Sequence, residues 1–415
     1  MYFKKLEMKE WQQFDTVEID LHDRLTIITG ANGSGKTTIL NLFARHFGWN
    51  IPSLATPKEE RNTGIVKFFT RFFKGEDNSH TTNFGTIQYS NNVNGILSIQ
   101  NPNTAQYQVH IANLQPVKCF YIPSHRAIFR YQPLGNIPTT KKNKQTAFNE
   151  VSQLNKQRYF GNNNQQSTSF VMKNTLIGWA INGYGVTNNN KTIMPQDTEQ
   201  IGYFEGFQEA LRKILPDTLG FKELEIRKME IVFVCNDGED EFLLETASGG
   251  ISALIDMAWQ IFMYSTNENN DFTVIIDEIE NHLHPIMQRS ILQNLLNAFP
   301  KARFIVSTHS PLVVGSVKDS NIYALIYNNV KKIQSKKLDL LGEAKSATEI
   351  LDEVLGVSFT MPVWVEDNLM RIIDNYSRSP ITQESISELR KELSETGLEK
   401  LLPYAIQGIA EKSYD

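Results

Sequence analysis

Residues 25–38 read LTIITGANGSGKTT, an apolar run that closes on Gly30-Ala31-Asn32-Gly33-Ser34-Gly35-Lys36-Thr37-Thr38. The whole G-x-x-x-x-G-K-[ST] pattern is present, with a strand-like run before it and an apolar helical stretch, TTILNLFARHFG, after it. Glycines let the backbone fold around phosphate oxygens, so that successive N–H groups and a helix N-terminus point at the negative charge. Lys36 is then placed to reach the β- and γ-phosphates, and the Thr37 hydroxyl to ligate Mg²⁺. The stretch therefore predicts an α/β chain that binds ATP and Mg²⁺ where a core strand turns into a helix.

Three further stretches follow in order. FTVIIDEIENHLHP, residues 272–285, is a buried-strand run ending in Asp277-Glu278. An acidic side chain at the tip of such a strand lies where ligands bind in α/β sheets, so Asp277 is expected in the Mg²⁺ shell. Glu278, one residue on, is expected to orient and polarise the attacking water. Upstream, residues 246–251 read Thr-Ala-Ser-Gly-Gly-Ile ahead of the apolar helix SALIDMAWQIFMY. Ser248 with the N–H groups of Gly249 and Gly250 forms a second anion-binding nest at a helix start. Alone, Ser-Gly-Gly is an ordinary helix cap. The last stretch, KARFIVSTHSP at 301–311, is another buried strand, ending in Ser307-Thr308-His309.

In their order along the chain, the four stretches resemble the ABC ATPase clade that includes RecF, SMC and the OLD-type proteins, over residues 1 to 50 and 240 to 330. The resemblance implies an ABC ATPase head: a P-loop core sheet with an antiparallel β-lobe. It implies that Ser248, Gly249 and Gly250 are the signature that binds the γ-phosphate held by an opposite subunit, with Ala247 and Ile251 departing from the usual L-S-G-G-Q. It also implies that His309 contacts the γ-phosphate and that Glu280 to Pro285 is the loop crossing between subunits. A metal site at His282 and His284 is disfavoured, since no third ligand lies nearby. The loop coupling the β-lobe to the metal is expected after the strand at 117–122, where Tyr121-Ile-Pro-Ser-His-Arg126 offers His125, Arg126 or a plain strand-end turn. No adenine contact is chosen among Lys5, Lys9 and Trp11.

Ser346 to Val365 is similar to a group of stand-alone AAA_15/AAA_21-type ATPases of anti-phage defence systems, among them the Septu ATPases. That likeness implies a defence role with a separate effector such as an HNH nuclease.

The remaining chain sets limits. A formal charge of −5 over 415 residues argues against indiscriminate nucleic-acid binding. Local patches are left as candidates: Lys141, Lys142 and Lys144, and Lys331, Lys332, Lys336 and Lys337. Two cysteines, Cys119 and Cys235, lie in apolar strand-like runs and read as buried reduced thiols, which with the lack of a signal-peptide core or a membrane span predicts a cytoplasmic protein.

Four segments are expected. Residues 1–130 form an N-terminal ATPase lobe, whose antiparallel runs include GTIQYS, GILSIQ, QYQVHI and VKCFYI. Residues 131–220 form a polar helical and loop insertion that buries little apolar surface. Residues 221–342 form the second ATPase lobe, and 343–415 a helical tail, with Ile386, Leu389 and Leu393 at helical spacing. VWVEDNLM at 363–370 has too little chain after it, and no D-x-D, to open a metal-dependent nuclease. The expected function is ATP hydrolysis at composite sites in a homodimer or higher oligomer, serving as a switch. Rival readings are a RecF-like DNA repair clamp and an ATP-stabilised scaffold with little turnover.

Overall fold

The Leu25–Gly30 strand is buried at every position, because it lies inside a sheet with parallel neighbours on both sides. Ala302–Thr308 pairs with one edge of it and Asn321–Tyr327 with the other. Outward from Ala302–Thr308 come Phe272–Ile276 and then Cys119–Ile122, both parallel. Parallel strands covered on both faces read as continuous apolar runs, as these do. The computed structural model describes residues 1–59, 66–69, 81–100, 104–161, 166–188, 191–266, 271–339, 363–377 and 382–412.

The same sheet continues the other way through Ile333–Leu338, Phe14–Asp20, Phe3–Trp11, Thr81–Tyr89, Asn94–Gln100 and Val109–Ala112, eleven strands among the described residues. From Phe14–Asp20 outward every pairing is antiparallel. Buried and exposed positions alternate along Val109–Ala112, the pattern of a sheet half-covered by the chain. The run VKCFYI does not belong to this lobe. All four residues of Cys119–Ile122 are buried, and the strand pairs with Phe272–Ile276 at the parallel edge. Its unbroken apolarity, set against the alternation of its neighbours in sequence, is the physical reason.

Residues 131–220 also bury more than their Asn-rich composition suggests. Helices Lys144–Tyr159, Thr168–Tyr184 and Thr198–Ile214 start on the side-chain caps Asn143, Ser167 and Asp197. They bury Phe148, Met172, Trp179 and Phe207. Trp179 stacks on Trp259 at 5.9 Å and Phe207 meets it edge-on at 5.1 Å. The apolar residues are few but fall at helical spacing, which composition averages away. A three-stranded antiparallel sheet, Phe221–Arg227, Glu230–Cys235 and Asp240–Leu243, then leads into helix Gly249–Tyr264.

The lysines at 141–144 are engaged within the fold. Lys141 pairs with Asp197 at 2.6 Å and Lys142 with Glu150 at 2.7 Å. Lys144 donates to the Ser265 carbonyl and lies over the Phe262 ring. Such pairing leaves less free charge for phosphates, although Lys141 remains exposed, as are Lys331, Lys336 and Lys337.

The chain divides into two compact units, Met1–Ala347 and Thr348–Asp415. The second contains helices Val363–Ser377, Gln383–Glu395 and Leu402–Lys412, with Leu369, Ile372, Ile373, Leu389, Leu393, Ala405 and Ile409 forming its own small core. VWVEDNLM opens the first of these helices. Most of the stretch Ser346 to Val365, on which the defence-family resemblance rests, lies outside the described residues. No described helix is long and apolar enough to cross a membrane.

Candidate nucleotide-binding site

The P-loop turns tightly because two of its glycines occupy space that no side chain could. Gly30 has φ 143°, and a Cβ there would lie 2.6 Å from the Leu325 carbonyl oxygen. Gly35 has φ 87°, and its Cβ would fall 2.3 Å from the Phe14 ring. Helix Lys36–Ala44 starts at once, so its first N–H groups face the loop.

Lys36 is only 4% exposed. Its Nζ donates to the carbonyls of Gly30 at 2.9 Å and Ala31 at 3.1 Å, and lies 3.2 Å from His309 Nδ1. An ammonium can only donate, so Nδ1 accepts and the histidine proton sits on Nε2. Burial lowers the Lys36 pKa to about 8, against the opposing pull of Glu278, Asp277 and Glu280. Burial, followed by the Lys36 charge, lowers the His309 pKa as well. Nε2 of this histidine is 3.8 Å from Glu278 Oε1. The site thus holds a buried cation whose charge an anion would favour.

Asp277 and Thr37 meet directly, with Thr37 Oγ1 donating to Asp277 Oδ2 at 2.9 Å. Ser307 Oγ donates to the other carboxylate oxygen at 2.5 Å. Burial raises the Asp277 pKa, while the hydroxyls of Ser307 and Thr37 oppose that rise. A hydroxyl beside a carboxylate is a hard oxygen donor set, so Thr37 and Asp277 fit Mg²⁺. Among the described residues no cluster of three His, Cys, Asp or Glu side chains forms a separate metal site.

Glu278 takes the left-handed conformation at φ 44°, a strained choice for a residue with a side chain. Three partners hold it. Its N–H donates to Ser307 Oγ at 2.8 Å, and its Oε2 accepts from Asn281 Nδ2 at 2.7 Å. Arg126 Nη2 donates to the carbonyls of Asp277 at 3.0 Å and Glu278 at 3.2 Å. Arg126 is 6% exposed. It therefore ties the end of Cys119–Ile122 to the acidic pair, a link that His125 does not make. Asn281 also bonds the Ser124 carbonyl at 3.0 Å, and Glu280 accepts from the His309 N–H. The sequence alone does not distinguish Ser307 or Asn281 as site residues. A small hydroxyl residue near the end of a buried parallel strand beside Asp277 was the available signal for Ser307.

Ser248, Gly249 and Gly250 stand apart from this network. Ser248 is the N-cap of Gly249–Tyr264, yet its side chain makes no cap bond. Ser248 and Gly249 are exposed, and nothing lies within 4 Å of a Cβ built on Gly249. Gly250 sits against the next loop, where its Cβ would be 3.0 Å from the His282 carbonyl. The motif is thus an outward-facing helix N-terminus beside the loop that follows Glu278. A cleft of about 270 Å³ opens next to Thr38, lined by Trp11, Gln12, Asn41, Arg45 and neighbouring residues.

Comparison with known proteins sets this geometry in a family. Residues 25–315 match the AAA_21 model, described as "AAA domain, putative AbiEii toxin, Type IV TA system", and residues 3–44 match the AAA_29 model of the P-loop containing region of AAA domains. The Septu protein PtuA of Bacillus mycoides is 32% identical over 158 residues, which cover 36% of this chain and 22% of that protein. The Septu protein PtuA of Bacillus thuringiensis is 22% identical over 415 residues, covering 97% of this chain and 91% of that one. The first of these alignments spans under a quarter of its relative's length. Among solved structures, the Smc head bound to the C-winged helix domain of ScpA aligns with a TM-score of 0.46 at 16% identity, covering 83% of this chain and 100% of that one.

Proposed function

This chain belongs to the AAA_21 family of P-loop ATPase domains, and we propose that it works as a switch driven by ATP hydrolysis at sites shared between two copies. The observation that carries this reading is the contrast at the two helix N-termini: the groups around Lys36 meet within one chain, while Ser248 and Gly249 face outward with nothing among the described residues lying over Gly249. A second copy, turned so that its Lys36 site faces them, supplies the missing anion.

In this cycle Lys36 leaves the Gly30 and Ala31 carbonyls for the β- and γ-phosphates. His309 Nδ1 loses its donor as Lys36 moves, leaving its Nε2–H beside Glu278 and free to donate to the terminal phosphate. Mg²⁺ on Thr37 and Asp277 would neutralise charge on the phosphate oxygens. Glu278, held by Ser307, Asn281 and Arg126, orients the attacking water. Hydrolysis removes the phosphate that Ser248 of the partner grips, so the pair reopens.

The likeness to Septu proteins supports a role in anti-phage defence, with the switch holding or releasing a separate effector such as a nuclease. We place the protein in the cytoplasm, where the buried free thiols of Cys119 and Cys235 stay reduced. The test is size-exclusion chromatography with mass determination on the Glu278→Gln protein, with and without ATP·Mg²⁺, beside the Ser248→Arg variant. Pairing that appears or strengthens with ATP and vanishes with Ser248→Arg is expected. A monomer that ATP leaves unmoved overturns the shared site.

A further inference from the structure

Lys173 is a cation with no exposed surface, placed in the middle of helix Thr168–Tyr184. Its Nζ is 2.8 Å from Glu230 Oε2 and 2.7 Å from Glu245 Oε1. The two carboxylates differ: the Glu245 side chain is 1% exposed and the Glu230 side chain 18%. Tyr131 closes the cluster, its hydroxyl donating to Glu230 Oε1 at 3.0 Å and its ring centroid 4.8 Å from Nζ. The paired carboxylates hold the Lys173 ammonium charged, raising its pKa against the cost of burial.

The position of Glu245 gives this cluster its consequence. It lies in the single turn Leu244–Thr246, three residues ahead of Ser248. Between them Thr246 is exposed, and Ser248 and Gly249 are exposed beyond it. The approach to the signature is therefore anchored by buried Leu244, by the buried side chain of Glu245, and by Thr246 Oγ1, which accepts from the Leu243 N–H at 3.1 Å. Of these anchors only Glu245 reaches outside its own turn by charge, and its partner is on the inserted helix. A buried ion pair tolerates little separation, because a charge taken out of solvent has little to replace a lost partner. Displacing helix Thr168–Tyr184 by a fraction of an ångström must then either drag Glu245 along or strand two buried charges.

We propose that Lys173 is a positioning residue for the signature: through Glu245 it sets where Ser248 and Gly249 are presented to the opposite copy, so that the inserted helices govern pairing. The inference rests on the shared-site reading above. It predicts an asymmetry between two carboxylates that grip the same cation. Glu245→Gln loosens the segment leading to Ser248, whereas Glu230→Gln leaves the Lys173–Glu245 link in place. Both substitutions keep side-chain size and remove one charge.

The experiment measures three quantities for wild type, Glu245→Gln, Glu230→Gln and the charge swap Lys173→Glu with Glu245→Lys made in the Glu230→Gln chain, so that the moved carboxylate does not face Glu230. They are ATP affinity of the single chain by fluorescent-nucleotide titration, melting temperature, and ATP-driven pairing by analytical ultracentrifugation. Glu245→Gln is expected to weaken pairing at least about tenfold with single-chain affinity within about twofold. Glu230→Gln should pair within about twofold of wild type, and the swap should recover most of the Glu245→Gln loss. Equal effects of the two glutamine variants on pairing, or a lowered melting temperature with pairing intact in both, overturn the positioning role. If wild type itself fails to pair, the shared-site reading falls and this inference falls with it, an outcome distinct from either of those.

Discussion

Lys36 and Ser248 both stand at helix N-termini suited to phosphate, and the chain treats them in opposite ways. Around Lys36 the backbone carbonyls of Gly30 and Ala31, His309, Asp277 and Thr37 satisfy one another within hydrogen-bond distance. Around Ser248 the side chain makes no cap bond, and the space over Gly249 is open. Burial allows the first region to tune pKa values and to hold a strained Glu278. Exposure denies the second region any such tuning and gives it reach. A site that is finished internally can bind; one left open at the surface can report to a neighbour.

The largest effect should come from the finished region. Glu278→Gln is expected to lower ATP turnover by about 10²–10⁴-fold with nucleotide affinity changed only slightly, as read by phosphate release and nucleotide titration. Wild-type turnover in that variant would remove Glu278 from the reaction and erase the division of labour. The open region is probed by Gly249→Asp. An acidic residue in the first helical turn suits the helix dipole, so single-chain stability should stay within about 0.5 kcal/mol of wild type. Pairing should nevertheless fall at least about tenfold, because the new carboxylate meets the partner's phosphates. A variant that still pairs would mean that the Gly249 face is not presented to a partner at all.

The smallest effect concerns pH. With the Lys36 pKa lowered to about 8 and the ordinary lysine value near 10.4, the unfolded chain holds this proton more firmly than the folded one. Stability from Lys36 therefore rises as pH increases from about 8 toward 10.4. Lys36→Met removes the titrating group, so its unfolding free energy should lose the rise that wild type shows between about pH 8 and 10.4. Denaturant titrations at a series of pH values should show the difference between the two proteins changing through that window. A constant difference would show that the Lys36 charge is not held against its burial.

Much of the finished region could be read from the chain because its parts are contiguous. Gly30 to Thr38 is a single run, and Asp277-Glu278 closes a single strand. Period and order were enough to place them. Arg126 remained one of three choices, because its value lies in two carbonyl contacts to residues 151 and 152 positions away. Sequence order groups Cys119–Ile122 with its antiparallel neighbours, whereas space pairs it with Phe272–Ile276. Composition hides the packing of the insertion because Asn and Gln dominate it, whereas Trp179 and Phe207, spaced on helix faces, decide its packing onto Trp259. Lys173 carried no signal at all. A single lysine in an apolar helix declares itself only when Glu230 and Glu245 are seen to converge on it.

The placement of strand Leu25–Gly30 between partners from the far end of the unit also dictates when the site can exist. Lys36 waits for His309, 273 residues later, and Thr37 for Asp277, 240 residues later. At about 5–20 residues per second of synthesis, the P-loop strand spends on the order of 10 to 60 seconds without its neighbours. During that interval LTIITG is an apolar segment with both edges bare, the kind of stretch that other chains can capture. Nucleotide gains only part of its site on the early nascent chain, since Lys36 and Thr37 are made more than 200 residues before Asp277 and His309. A nascent chain therefore carries its P-loop well before the residues that meet Lys36 and Thr37, and the site closes only once both sets have been made.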